Sequence, residues 1–160
     1  MPNPDDRNPA AAMLLDAFAA LRLSPCEPEA FKIREEWSAF EVRDLGIAGE
    51  TDGRIGAFHM RATGPCRGEQ GWHYHALDFH MVYILKGRVK YLWHGSDEPV
   101  VAEAGTCLFQ PPGGAHNVID YSEDVEVLEI TMPADYETVP VDSSTTLTAD
   151  DTRRITSTSN

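Results

Sequence analysis

Between Pro28 and Met132 the chain meets a turn signal every few residues, and this leaves no room for a long helix. Trp37 to Leu45, Ile55 to Ala62, His80 to Leu85, Val89 to Trp93, Thr106 to Gln110, Asn117 to Tyr121 and Val125 to Met132 each read as a short strand, rich in β-branched and aromatic residues. The breaks between them are GETDGR, TGPCRGEQG, KG, HGSDEP, PPGG and YSED, all carrying residues that supply turn geometry. Many short strands with no helix between them specify an antiparallel sandwich or barrel. No fixed-period repeat points to a solenoid or propeller.

The flanks differ in texture. Met1 to Asn8 is a polar lead, and Pro9 to Leu23 is rich in helix formers, with Leu14, Phe18 and Leu21 on one face. This predicts one helix, ended by Ser24-Pro25 and packed on the outside of the barrel. Ser143 to Asn160 contains ten Ser or Thr and only two large apolar residues, so it reads as a polar tail. The expected organisation is thus a lead and helix over 1–30, a barrel over 31–142 and a tail over 143–160.

Charge narrows the function. The net charge of −13 repels a nucleic-acid backbone and an anionic membrane surface, so neither is an expected partner. No apolar run approaches a membrane span, and the N-terminus lacks the basic region of a secretory signal. Cys26, Cys66 and Cys107 are odd in number and widely spaced, which suits free thiols in a reducing compartment. A cytoplasmic protein with a small-molecule substrate is the expectation.

Five of the six histidines lie between positions 73 and 116. In an extended strand His73 and His75 point to one face, and the four residues after His75 allow a bend that returns His80 to the same place. His116 follows the Gln110-Pro111-Pro112-Gly113-Gly114 turn. Converging imidazoles suit zinc, iron, nickel or copper. A single histidine in a strand, by contrast, is more often a hydrogen-bonded, half-buried residue than a ligand.

Two linked patterns raise the functional reading. Gly68-x4-His73-x-His75-x4-His80-x6-Gly87 resembles the first cupin motif, and Gly105-x5-Pro111-x-Gly113-x2-His116-x3-Asp120 resembles the second, with seventeen residues between them. The resemblance implies a double-stranded β-helix (a jelly-roll barrel), here preceded by one helix. It implies a metal held by His73, His75, His80 and His116. It also implies a homodimer formed through the sheets.

Three positions depart from the family pattern: the first glycine is shifted by one residue, Asp120 stands for Asn, and His80 stands for the usual Glu ligand. Four neutral imidazoles lean away from magnesium and manganese and toward iron(II) or nickel, with zinc or copper as further options. They also favour an anionic, oxygen-rich chelating substrate. The activity expected on this basis is that of a dioxygenase. The alternatives are a non-redox isomerase or lyase, and a binding protein without turnover. If His80 faces away, a three-histidine site remains.

Other residues receive structural expectations. Phe58 and Met60, rather than His59 and Arg61, should face the core. His94 should be exposed in its turn, Cys107 should be a buried thiol, and Tyr83 should point away from the histidines. Gly113-Gly114 should tighten a turn rather than hold a phosphate. Val125 to Met132 has apolar residues on both faces, so its outer face should also be covered.

Overall fold

Alternation along the strands sorts the side chains into an inner and an outer set, and the sheets follow from that sorting. In the computed structural model, which describes residues 21–34 and 38–142, one sheet joins β1 (Lys32–Ile33), β2 (Phe40–Asp44), β3 (Gly56–Ala62), β10 (Glu126–Met132), β5 (Phe79–Lys86) and β8 (Cys107–Phe109), in that spatial order. The other joins β11 (Thr138–Pro140), β4 (His73–His75), β9 (His116–Tyr121), β6 (Arg88–Trp93) and β7 (Val100–Glu103). The pairings are antiparallel. Successive strands alternate between the sheets from β3 to β5, the connectivity of a double-stranded β-helix. A four-residue helix, α1 (Ile47–Glu50), and a 3₁₀ turn at Pro28–Ala30 complete the described elements.

The core lies between the sheets. Val42, Phe58, Met60, Val82, Ile84 and Val127 from the first sheet, with Val125 just before β10, meet Val89, Tyr91, Ala102 and Tyr121 from the second. Ile84 and Val125 are wholly buried, and full burial of such a side chain contributes about 1.5–3 kcal/mol. Phe58 and Met60 do face inward, while Arg61 lies outside, its Nε donating to Glu41 at 2.7 Å and its guanidinium resting on the Phe31 ring.

The turns use glycine where nothing else fits. Gly87, between β5 and β6, has φ +68°, and a Cβ there would strike Ser122 Oγ and the Val125 backbone. The seventeen residues between the two motifs hold β6 and β7.

Several expectations need correction or restriction. Cys107 is exposed, because β8 is an edge strand whose parity turns Leu108 inward and Cys107 and Phe109 outward. His94 is half-buried, its ring edge-on to Trp72. The expected helix falls on residues 9–20, outside the described residues, and its last positions, Leu21 to Leu23, are exposed and non-helical. The 143–160 tail is likewise outside. Among the described residues no helix is long and apolar enough to cross a membrane.

Candidate metal centre and cavity

Strand pairing brings the histidines together. His73 on β4 is the cross-strand partner of His116 on β9, and Thr138 on β11 is the partner of His75. Alternation then points His73 and His75 to the same side. The result is a cluster in which His73, His75 and His116 each offer a ring nitrogen, all within 4.8 Å of one another.

The rings are held by their far nitrogens. His73 Nδ1 lies 2.9 Å from the Gly71 carbonyl, and His116 Nδ1 lies 3.1 Å from the Gly114 carbonyl. A carbonyl only accepts, so each Nδ1 carries its proton and each Nε2 presents a lone pair. His75 Nδ1 meets Thr138 Oγ1 at 3.0 Å. Burial, with the neighbouring imidazoles adding to it, pulls the pKa of His75 down to about 2 and that of His116 to about 3. Burial also lowers His73, against the raising effect of the Gly71 carbonyl. All three are therefore neutral at physiological pH, the state a metal requires. Fixed tautomers, neutral rings and close spacing together fit a borderline-soft divalent ion.

His80 returns to the same place, as the bend after His75 predicts, and its ring centroid is 5.0 Å from that of His75. Its Nε2, however, donates to Glu129 Oε1 at 2.7 Å, with both side chains about 95% buried. That nitrogen is committed to a carboxylate, so three imidazoles converge while the fourth is paired beside them. The Tyr136 hydroxyl makes a long contact, 3.5 Å, to the other Glu129 oxygen. Burial first, and then the Glu129 charge, raise the pKa of Tyr136 and of Tyr91, so both phenols stay protonated.

Sequence reasoning missed Glu129. The residue shares a parity with Val125, Val127 and Thr131, all inward-facing. An acid at a buried parity was the available signal, and the apolar residues on both faces of β10 obscured it. Tyr136 was missed because nothing in the sequence shows that the turn before β11 returns to β10.

These groups open onto a cavity of about 320 Å³. The four histidines and Glu129 line it together with apolar residues such as Phe40, Met60 and Val127 and polar ones such as Gln70 and Thr138. The motifs, the two sheets and the inward histidines agree with the Cupin domain family, whose pattern matches residues 62–131. Residues 62–131 form a cupin domain. The cupin fold also appears in solved structures of low sequence identity. One is the polyketide cyclase RemF from Streptomyces resistomycificus (TM-score 0.60, 18% identity, 82% of this chain and 91% of that one). A Cupin 2 conserved barrel domain protein from Salinispora arenicola gives TM-score 0.54 and 12% identity, covering 86% of this chain and 98% of that one. KdgF from Halomonas sp. gives TM-score 0.53 and 14% identity, covering 69% and 94%. No curated protein matches this chain.

Proposed function

We propose that this cupin is a metal-dependent enzyme of the non-redox kind, an isomerase, lyase or cyclase acting on a small carbonyl compound by proton transfer. The observation that carries it is the buried His80–Glu129 pair set beside the three converging imidazoles. A carboxylate and an imidazole in hydrogen-bond contact, screened from bulk water, form an apparatus for taking up and returning a proton. A site limited to metal binding has no need of it.

His73, His75 and His116 are the proposed holders of a divalent transition metal. Such an ion supplies a Lewis acid that polarises a carbonyl and makes its α-proton easier to remove. Glu129 is the proposed base, with Oε1 held by the His80 Nε2–H and Oε2 facing the Tyr136 hydroxyl. His80 steadies the carboxylate and relays its proton. In this reading His80 joins the ligand set only through Nδ1 or by leaving Glu129.

RemF, named a polyketide cyclase, shares the fold, and cyclisation of a polyketone proceeds through the same loss of an α-proton. Dioxygenase chemistry is the second reading, favoured by the all-nitrogen, uncharged donor set. A second copy of the chain is proposed to cover the outward face of the six-stranded sheet, where Tyr83, Leu85, Phe109 and Met132 are exposed.

One experiment separates the two chemistries. The purified chain, its metal content measured by mass spectrometry, is incubated in D2O with a panel of hydroxyketones and β-keto esters, and α-deuterium is followed by NMR beside an oxygen electrode. Exchange without oxygen uptake supports the proposal. Oxygen uptake moves the assignment to a dioxygenase. A chain that takes up no metal even on reconstitution overturns both.

A further inference from the structure

Tyr91 stands on β6 in the five-stranded sheet, and its parity turns it inward together with Val89. Its ring lies edge-on to that of His116, with 6.2 Å between centroids, and the residue lines the cavity at only 5% exposure. A buried phenol normally has a hydrogen-bond partner, yet among the described residues none meets this hydroxyl. Four buried polar atoms of the described residues are both unpaired and sealed from any probe: Arg43 Nε, Gln110 Oε1, Asn117 Oδ1 and Thr131 Oγ1. The Tyr91 oxygen is not one of them. It is unpaired but reachable, and the surface it keeps belongs to the cavity.

Other polar groups of the wall are already engaged. Gln70 Nε2 donates to the Gly68 carbonyl at 3.2 Å, Thr138 Oγ1 meets His75 Nδ1, and Glu129 holds His80. Tyr91 and Glu129 stand on opposite sheets, and the carboxylate charge is felt at the phenol although no hydrogen bond joins the two. Room for a small group therefore separates them. The imidazole cluster, the Glu129 carboxylate and the Tyr91 hydroxyl border one space.

Loss of an α-proton leaves negative charge on oxygen. In a 1,3-dicarbonyl compound that charge is shared by two oxygens, with the reacting carbon between them. The cluster can serve one oxygen and Glu129 the carbon, which leaves the second oxygen in need of a donor. A phenolic O–H held in a water-poor cavity is such a donor.

We infer that Tyr91 is a substrate-binding residue whose hydroxyl donates a hydrogen bond to the second oxygen of a 1,3-dicarbonyl compound of the β-keto ester type. This names the substrate class for the activity proposed above and rests on that reading for the reaction. In that reaction Glu129 takes the α-proton and the C–H electron pair becomes the enolate. Tyr91 keeps its proton and holds the second enolate oxygen. The contact itself needs no metal.

The test pairs ethyl acetoacetate with 2-heptanone, a ketone of equal chain length that lacks the second carbonyl. Dissociation constants are measured by ligand-observed NMR on the full chain after EDTA treatment, native and Tyr91→Phe. The variant is expected to bind ethyl acetoacetate about five-fold more weakly, the size of one net hydrogen bond, and to leave 2-heptanone unchanged. Its urea midpoint should equal or exceed the native one, because the hydroxyl has no protein partner to lose. If 2-heptanone does not bind, that midpoint is the control for the fold. In the metal-loaded chain, α-deuterium exchange into ethyl acetoacetate should fall about 10²-fold in kcat, with a much smaller change in KM. A destabilised or unfolded variant shows a hydroxyl that serves the fold and overturns the proposal. Unchanged binding of ethyl acetoacetate by Tyr91→Phe, equal weakening of both probes, or failure of the native chain to bind ethyl acetoacetate also overturns it. A native chain that shows the binding difference but exchanges no α-deuterium overturns the activity proposed above and leaves the Tyr91 contact standing.

Discussion

Strand β10 carries two histidine–glutamate pairs, and they face opposite ways. Glu126 accepts from His59 Nε2 at 2.9 Å on the outer face, and Glu129 accepts from His80 Nε2 at 2.7 Å on the inner one. Three positions apart on a strand of period two, the two acids must point to opposite sides. The outer pair has side-chain exposures of 12% and 34%, lies near Arg43 and packs below Phe31. The inner pair has 4% and 5% and adjoins the histidine cluster. Identical chemical groups therefore serve as a surface tie in one place and as candidate proton-transfer machinery in the other. What separates them is water: a partly exposed pair is screened and replaceable, while a buried one is held in a fixed geometry and is sensitive to the loss of either partner.

The comparison breaks most visibly at the metal. His116→Ala removes one of three converging ligands, and we expect bound metal, read by mass spectrometry, to fall from stoichiometric to near background, with turnover lost alongside it. Glu129→Gln keeps the shape of the inner pair but removes the base. Its α-proton exchange should drop about 10²–10⁴-fold at unchanged metal content. His80→Ala sharpens the same distinction. Retention of metal with slowed exchange is expected of a three-histidine site with a relay, whereas loss of metal would make His80 the fourth ligand.

Acidification should weaken the metal-free fold. His75 and His116 have folded pKa values of about 2 and about 3, below their ordinary value of 6.5. On acidification the unfolded chain therefore binds protons first. Stability present above pH 6.5 is lost as pH falls below it, by up to about 1.4 kcal/mol per pH unit for each imidazole. Urea titrations in EDTA at pH 7.5 and 5.5 check this, and a midpoint that does not fall would contradict it. The smallest effect belongs to the outer pair. Glu126→Gln should cost no more than about 1 kcal/mol in urea unfolding and leave α-proton exchange unchanged.

Much of the fold was legible because turn chemistry and period-two alternation are local. The core strands β3, β5, β6, β9 and β10 overlap segments that read as strands in the sequence, and Phe58 and Met60 face inward as their parity predicts. Short β1, β7 and β11 were not legible, since two to four residues carry too little pattern and owe their form to a neighbouring strand. Cys107 illustrates the same limit, because an apolar-looking position on an edge strand can face outward.

The histidine spacing, a local property, was enough to bring His73, His75, His80 and His116 to one region. Their division into three converging rings and one paired ring was a tertiary decision. It depends on β10 lying beside β5 in a register that sets Thr131 opposite His80 and Glu129 opposite Val82. The sequence by itself determined that a sheet sandwich would form and that imidazoles would gather inside it, because both follow from short-range periodicity. Only the tertiary structure decided which acid joins them and how apolar the cavity is. Each of those depends on residues far apart in the chain being brought within a few ångströms by strand pairing.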